Sequence, residues 1–253
     1  MTTPHWPRPQ WRDSGARAFL LWFVFGDFAD DFRIDAARYR TRGAPAGIDV
    51  MRYAHASFRA WDGYPLGGTM GTLFESEKPV LFARAGATRD CLMLRGEVAD
   101  PEDLDGLRDL VGTITALVDL GGAAVVDPQM LSLFDPAEWR TRFFTSDEFV
   151  ARNHVAILES EDDSAFNRRW IHTRGMRKFA RPDVGIWNVP PEYAGHAGQL
   201  ADRFVEFQAL GGIVEDGREI VVEGLPASMR MEHAGSLGDP EFNNVHLAIR
   251  WPD

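Results

Sequence analysis

Apolar side chains recur with a helical period at two places along the chain, ninety positions apart. In the first, the positions that follow the 3.6-residue spacing of one helix face are Leu107, Leu110, Val111, Ile114 and Leu117. In the second, the matching positions are Ala197, Leu200, Ala201, Phe204 and Phe207. Six matches are identities, which pair Pro101, Glu102, Leu110, Leu120, Gly121 and Gly122 with Pro191, Glu192, Leu200, Leu210, Gly211 and Gly212. The pattern predicts two copies of one element, each containing an amphipathic helix.

The residues around the first helix predict where it begins and ends. Pro101 suits the first turn of a helix because its fixed φ is helical, and Asp100 before it is a suitable N-cap. Gly121 stands where many helices end in a left-handed residue, and the apolar run 123–126 is then expected to be a strand. The second copy has the same plan without a polar cap, since Val189-Pro190 precedes Pro191.

Short strands separated by turn residues are expected elsewhere. Ala18–Phe25 is apolar throughout and predicts a buried strand. Asp216-Gly217, between the apolar runs 213–215 and 219–222, is the pair most typical of a tight hairpin. Further strands are predicted at 50–61, 80–83, 91–94, 154–158, 170–173, 184–189, 229–232 and 244–251, and helices at 27–40 and 136–144. The predicted fold is α+β, with two similar αβ halves (1–147 and 148–253), each a mainly antiparallel sheet packed on one amphipathic helix.

Composition narrows the class of protein. The 253 residues are 45% apolar with a net charge of −11, which favours a globular protein and argues against nucleic acid or an anionic membrane as a partner. Cys91 is the single cysteine, so an internal disulfide is excluded. The apolar run Ala18–Phe25 is too short to span a bilayer, and no small-residue cleavage site follows it. We therefore expect a cytoplasmic protein.

Basic side chains concentrate in one segment, 164–182, which has no acidic residue. The candidate residues for binding an anion or a partner are His172, Arg174, Arg177, Lys178 and Arg181. Arginine forks around carboxylates and phosphates, and a histidine titrates near neutral pH. The alternative is that the arginines of this segment, Arg168 and Arg169 included, pair with acidic residues of the protein itself, for instance Glu159, Glu161, Asp162 and Asp163.

The same segment carries a resemblance to a known family. The matching features are the run His172-Thr173-Arg174-Gly175-Met176, then Arg181-Pro182-Asp183, a strand, a helix and Gly217. In order and spacing, they are similar to the uncharacterised bacterial domain of unknown function family 4261. The resemblance covers roughly residues 152–251. It implies a bacterial protein with no established activity and supplies no catalytic residue. Relatives are expected to carry an acidic residue where this chain has Gly185, so no role of that carboxylate transfers.

Other motifs give no chemistry. The aspartates at 27, 30, 31 and 35 share one predicted helix face, which suits either a hard cation or a solvated surface, and we predict no metal. Gly67–Thr72 lacks the lysine of a phosphate-binding loop. No catalytic residues and no cofactor are predicted.

Two functions remain open on the sequence. The first is a non-enzymatic binding protein, for example an immunity-type protein whose acidic surface binds a basic partner. The alternative is a protein or enzyme that binds a small anion through residues 168–181. The sequence favours the first, leaves catalysis open and does not indicate the oligomeric state.

Overall fold

The computed structural model describes residues 3–162, 167–221, 228–239 and 241–252. The chain forms two compact units, which are described separately. Unit 1 consists of Met1–Pro7, Phe19–Val98 and Asp103–Phe149, and unit 2 of Arg8–Ala18, Ala99–Glu102 and Val150–Asp253. Within the described ranges, every helix falls short of the length and apolar character that crossing a bilayer requires.

A five-stranded sheet with the order β2-β3-β1-β4-β5 forms the centre of unit 1. Its strands are β1 (Arg17–Gly26), β2 (Ile48–Ala54), β3 (Asp90–Ala99), β4 (Gly122–Asp127) and β5 (Ser132–Phe134). The helices are α1 (His55–Phe58), α2 (Gly68–Glu77), α3 (Pro79–Gly86), α4 (Asp105–Asp119) and α5 (Pro136–Trp139), and α5 continues as a π-helical turn over Arg140–Phe144. The fully apolar run predicted as a buried strand is β1, and its Phe23 and Phe25 lie in the core with Phe74.

Several predictions for unit 1 are wrong. Residues 27–40 form turns, not a helix, because carboxylates there accept backbone N–H groups, as Asp35 does from Ala37 and Arg38. The run 80–83 lies in helix α3, which begins at Pro79. The strand predicted over 50–61 ends at Ala54, and the Gly-rich residues Gly67–Thr72 cap and begin helix α2. Helix α4 begins at Asp105, so Asp100 is not its N-cap.

Unit 2 is built on a six-stranded sheet in the order β6-β7-β8-β11-β10-β9. The strands are β6 (Ala156–Glu161), β7 (Arg169–Arg174), β8 (Asp183–Val189), β9 (Glu219–Ile220), β10 (Met229–Gly235) and β11 (Val245–Arg250). All neighbours pair antiparallel except β8 and β11, which are parallel. Helix α6 (Ala194–Ala209), preceded by a 3-10 turn, buries Ala197 and Ala201 in the same core as Ile171, Ile186 and Ile249 of the sheet.

The hairpin predicted at Asp216-Gly217 is wrong, because the two strands expected to pair across the turn do not pair with each other. The turn exists and leads into β9, but residues 213–215 are not a strand, and β9 pairs with β10. Asp216 accepts the backbone N–H of His233 at 2.7 Å, and Gly217 donates to Met231 at 2.8 Å, so β10 holds the turn. Residue 222, the end of the predicted second strand, lies outside the described residues.

The two long helices lie where the predicted repeat places them, while the similarity of the two halves beyond these helices stays a prediction. Helix α4 shifted by ninety positions falls within α6, and Gly121 and Gly211 after them both have left-handed backbones, with φ of 126° and 100°. A strand follows the glycines only in unit 1, where it is β4. Both units are therefore α+β, and they share this helix with its terminal glycine.

Candidate functional site

The predicted basic residues occupy two different environments of unit 2. His172 and Arg174 lie on β7, at alternate positions to the core residue Ile171, so both belong to the sheet face opposite the α6 core. Arg177 and Lys178 lie on the 3-10 turn Met176–Phe179, and Arg181 follows it. We refer to the sheet face that carries His172 and Arg174 as the outer face.

Lys178 and Arg181 are in the interior and are bound to protein oxygens. The ammonium of Lys178 donates to the carbonyl of His154 at 2.9 Å. Arg181 donates from Nη1 to Asp100 at 2.5 Å, and its other acceptors are the carbonyls of Arg12, Ala180, Gly211 and Gly212. All five guanidinium N–H groups of Arg181 therefore have an acceptor inside unit 2.

Asp100 is the centre of this interior cluster. Its carboxylate also accepts from Arg8 at 2.7 Å and from the hydroxyl of Ser14 at 2.8 Å. Burial alone would raise the pKa of Asp100, but the hydrogen bonds from Arg181, Ser14 and Arg8 hold that pKa below its usual range. The cluster ties residues 8–18 and 99–102 to the rest of unit 2. Asp100 is used here, which is why it does not cap α4.

On the outer face, three aromatic rings form a stacked row. Trp170 stacks on His172 with ring centroids 3.8 Å apart and planes 16° apart, and Trp187 lies 5.6 Å from Trp170 at 17°. Gly185 leaves space for the Trp187 indole in this row, because a Cβ at position 185 would be 2.2 Å from the Trp187 ring. The missing side chain at Gly185 thus lets the Trp187 indole lie close to the sheet beside Trp170.

Phe242 inserts its ring among the rings of the outer face. Its centroid is 4.2 Å from that of His246, with planes 20° apart. It also meets Trp170 at 5.6 Å, His172 at 6.1 Å and Trp187 at 6.3 Å, in steeply inclined geometry. Four rings therefore surround Phe242, which is only 4% exposed. We call these four rings the aromatic box.

Buried polar atoms around the aromatic box lack a hydrogen-bond partner. They are Trp170 Nε1, His172 Nδ1, Arg174 Nε and His246 Nδ1. A buried polar group without a partner costs about 1–3 kcal/mol. Of the ten such atoms found among the described residues, four lie together on this one sheet face.

The two imidazoles of the box are held in the neutral form. Burial lowers the pKa of His172 to about 4, against the opposing effect of a hydrogen bond with the Trp170 backbone, and the charge of Arg174 lowers that pKa further. Burial also lowers the pKa of His246, against the opposing effect of Asp239, whose carboxylate is 4.0 Å from Nδ1. At neutral pH each imidazole therefore offers one N–H donor and one acceptor.

Arg174 is a half-buried cation whose neighbours balance its charge only in part. Its Nη1 donates to the carbonyl of Glu241, while Asp183 and Asp239 act on it through their charges alone. Burial lowers the pKa of Arg174. Asp183 is itself occupied, because it accepts from Thr173 at 2.8 Å, from Asn244 at 2.8 Å and from the backbone of Met176. Burial raises the pKa of Asp183 to about 6 despite these hydrogen bonds.

The sequence-based site therefore divides into two parts. His172 and Arg174 lie together at the outer face, Lys178 and Arg181 are part of the interior, and Arg177 is half-buried on the turn between them. The predicted alternative of internal pairing holds for Arg169, which is 3.2 Å from Glu159 and 4.0 Å from Glu161. Asp163, another expected partner, lies outside the described residues.

Sequence reasoning missed most of the aromatic box. Trp170 could have been assigned to the site from the sequence, because Trp170 and His172 alternate along the predicted strand 170–173 and must share a face. His246 reaches the same region because β11 pairs parallel with β8 and places His246 beside Asp183. Phe242 comes from the connection before β11. No local pattern signals a pairing between strands so distant in sequence.

One group of described residues has the spacing of a metal site, in unit 1. It consists of His5, Asp103 and Asp105, and the aspartates at 27, 30, 31 and 35 do not form such a group. Arg108 already donates to Asp105 at 2.9 Å, and His5 lies 3.1 Å from the same oxygen. These ligand atoms are therefore engaged in internal hydrogen bonds. Cys91 is buried, and burial raises the pKa of its thiol.

In sequence and in structure, the chain matches no known protein family, no curated protein and no solved structure.

Proposed function

We propose that this protein binds a small oxyanion-bearing ligand on the outer face of unit 2. The observation that carries the proposal is the set of buried polar atoms without partners on Trp170, His172, Arg174 and His246. Tryptophan Nε1 and arginine Nε can only donate, and each neutral imidazole can donate from one nitrogen. A ligand with several acceptor oxygens would satisfy such a set.

Charge supports the same kind of ligand. Arg174 makes its hydrogen bond to a neutral carbonyl, and the carboxylates of Asp183 and Asp239 influence it only at longer range. Arg181, by contrast, donates directly to a carboxylate. A half-buried guanidinium without a bound carboxylate binds an oxyanion by charge-assisted hydrogen bonds, which are roughly twice as strong as neutral ones.

The test is a binding titration of the full chain with acetate and with inorganic phosphate. Tryptophan fluorescence reports on the outer face, where Trp170 and Trp187 lie next to the expected position of the anion. Arg174→Gln should weaken binding at least about tenfold, the effect of losing one charge-assisted hydrogen bond. Arg169→Gln is the matched control, since it removes an arginine from the same strand that pairs with glutamates instead. Equal binding by both variants, or no binding of either anion, would overturn the proposal.

A second candidate function is the binding of a basic protein, as an immunity-type protein does. The observation that favours it is the charge of the surface. Among the described residues, the buried charged side chains are Arg8, Arg108, Lys178 and Arg181 together with Asp100, Asp109, Asp127, Asp162 and Asp183. Burial thus removes nearly equal numbers of both signs. Nearly all of the net charge of −11 consequently stays at the surface, where it accelerates association with a basic partner.

Salt dependence tests this second function. The full chain, immobilised, is presented with a basic protein such as a polylysine-tagged carrier at low and at physiological ionic strength. Association through the acidic surface should slow by more than about tenfold as the Debye length falls. An association rate that does not depend on salt would contradict a function based on the acidic surface.

We also propose that residues 152–251, approximately, belong to the family they resemble, that the two units descend from one duplicated element, and that the protein is bacterial and cytoplasmic. The helix and glycine shared by the two units support the duplication. The single, buried and unpaired thiol of Cys91 supports a reducing compartment.

A further inference from the structure

We propose that the oxyanion ligand is an aromatic carboxylate, and that Phe242 occupies the position of its ring in the ligand-free protein. This inference rests on the proposed function and assigns the ligand class for the same site. The Phe242 side chain therefore competes with the ring of the ligand for the space inside the aromatic box.

The first argument is the fit of a ring to the box. Phe242 stacks on His246 at 4.2 Å, while the other three rings meet it in inclined geometry between 5.6 and 6.3 Å. These are the distances and arrangements that aromatic pairs prefer. The outer face of unit 2 therefore holds a site already shaped around a single six-membered ring.

The second argument is that Phe242 fits the box only in part. A phenyl ring has no polar atom, so it leaves the N–H groups of Trp170 and Arg174 and the Nδ1 atoms of both histidines without partners. A ring that carries a carboxylate would fill the same box and would also supply acceptor oxygens. The unpartnered atoms therefore indicate a substituted ring instead of a bare one.

The third argument is that Phe242 can leave without disturbing the sheet. Its backbone belongs to a local turn in which Asp239 Oδ1 accepts the N–H groups of Glu241 at 2.8 Å and Phe242 at 3.1 Å. Asn244 anchors the chain just after it, with 2.8 Å to Asp183. Moving the Phe242 side chain breaks ring contacts and the neighbouring Arg174–Glu241 hydrogen bond, and leaves the strand pairing intact.

The experiment compares four probes on the full chain by calorimetry: benzoate, cyclohexanecarboxylate, benzyl alcohol and acetate. Benzoate has an aromatic ring and a charge, and each other probe lacks one of the two: cyclohexanecarboxylate and acetate have no aromatic ring, and benzyl alcohol has no charge. Phe242→Ala should raise the affinity for benzoate by about tenfold over the wild type, since the competing ring is gone, while acetate affinity stays unchanged. Phe207→Ala, which removes a partly exposed ring from α6, is the matched control and should have no effect.

The outcomes separate this inference from the proposed function. If acetate binds through Arg174 but Phe242→Ala binds benzoate no more tightly than cyclohexanecarboxylate, the aromatic ligand class is wrong and the oxyanion site stands. If no carboxylate binds any variant, both proposals fail. Phe242→Leu retains apolar volume at this position, so it tests the same inference if Phe242→Ala does not fold. It should give a benzoate affinity between those of the wild type and Phe242→Ala, and an affinity equal to the wild type would contradict the inference.

Discussion

Arg181 and Arg174 belong to the same basic segment, yet their surroundings differ in every respect that decides what an arginine does. All five N–H groups of Arg181 donate to oxygens of unit 2, with Asp100 as the charged partner. Arg174 donates to one carbonyl, and its Nε is buried without a partner. The first arginine holds segments of unit 2 together, whereas the second retains binding capacity.

The comparison shows that the local density of charge does not identify a binding residue. What distinguishes the two arginines is how much of their hydrogen-bonding capacity the protein itself uses. Asp100, which saturates Arg181, reaches it from a segment far away in sequence. The number of unused donors is a property of the fold, and it is the better guide to a ligand site.

The largest expected effect comes from making the same substitution at both arginines. Arg181→Gln should lower the free energy of unfolding of unit 2 by about 3–5 kcal/mol, because it breaks a buried ion pair and leaves acceptors unsatisfied. Arg174→Gln should change it by less than about 1 kcal/mol, since only one hydrogen bond to a carbonyl is lost. Urea unfolding followed by amide hydrogen exchange in β7 and β8 measures both.

Each variant is the control for the other, because the chemical change is identical. Equal losses of stability at the two positions would show that the contrast between a saturated and an unsaturated arginine is wrong.

The second expected effect is a pH dependence of the free energy of unfolding, caused by His172 on the same strand as the unsaturated Arg174. The pKa of His172 falls from 6.5 to about 4 on folding, so the unfolded chain takes up a proton below pH 6.5 that the folded chain refuses until about pH 4. Stability from this group is complete above pH 6.5 and is lost as the pH falls through that window, by about 3 kcal/mol in total. His172→Phe keeps a ring beside Trp170 without titrating. The wild type should therefore lose stability relative to this variant between pH 7.5 and pH 4.

Unfolding free energies of the two proteins at several pH values give the result directly. Asp183 has its pKa raised to about 6 by burial, so its own contribution runs in the opposite direction over a similar range. It is present in both proteins and cancels in the difference. A difference that stays constant with pH would be incompatible with a neutral, buried His172.

The smallest expected effect tests the packing beneath the aromatic box. Gly185→Ala introduces a Cβ that would lie 2.2 Å from the Trp187 ring, so the indole must move away from the sheet. We expect a loss of about 1–3 kcal/mol and a change in tryptophan fluorescence. Gly198→Ala on α6 meets no atom within 4 Å and should instead stabilise the protein by roughly 0.5–1 kcal/mol. The expected result is a decrease in the free energy of unfolding for Gly185→Ala and an increase for Gly198→Ala.

Elements with a strong local pattern were predictable from the sequence. The helices α4 and α6, the buried strand β1 and the left-handed Gly121 follow from apolar spacing and terminal residues, and the structure confirms them. The mixed α+β class follows from the same elements. Helix α3 was missed because four apolar residues suit a strand and a buried helix equally well.

The candidate site was predictable only where it lies in a single segment. His172 and Arg174 were found because both belong to the basic segment 164–182, but Phe242 and His246 meet them through the pairing of β8 with β11. The wrong N-cap at Asp100 has the same cause. Local rules place a carboxylate before a proline at a helix start, and a contact with Arg8 and Arg181 outweighs them.

The position of β11 has a consequence for the order in which the protein folds during synthesis. The last strand along the described chain lies inside the sheet, between β8 and β10, and its pairing with β8 spans about sixty residues. Contacts of such high sequence separation form late, because a long loop must close first. Strands β6 to β8 therefore keep one edge unpaired, exposed to chaperones and to aggregation, until β11 has been made and has paired with β8.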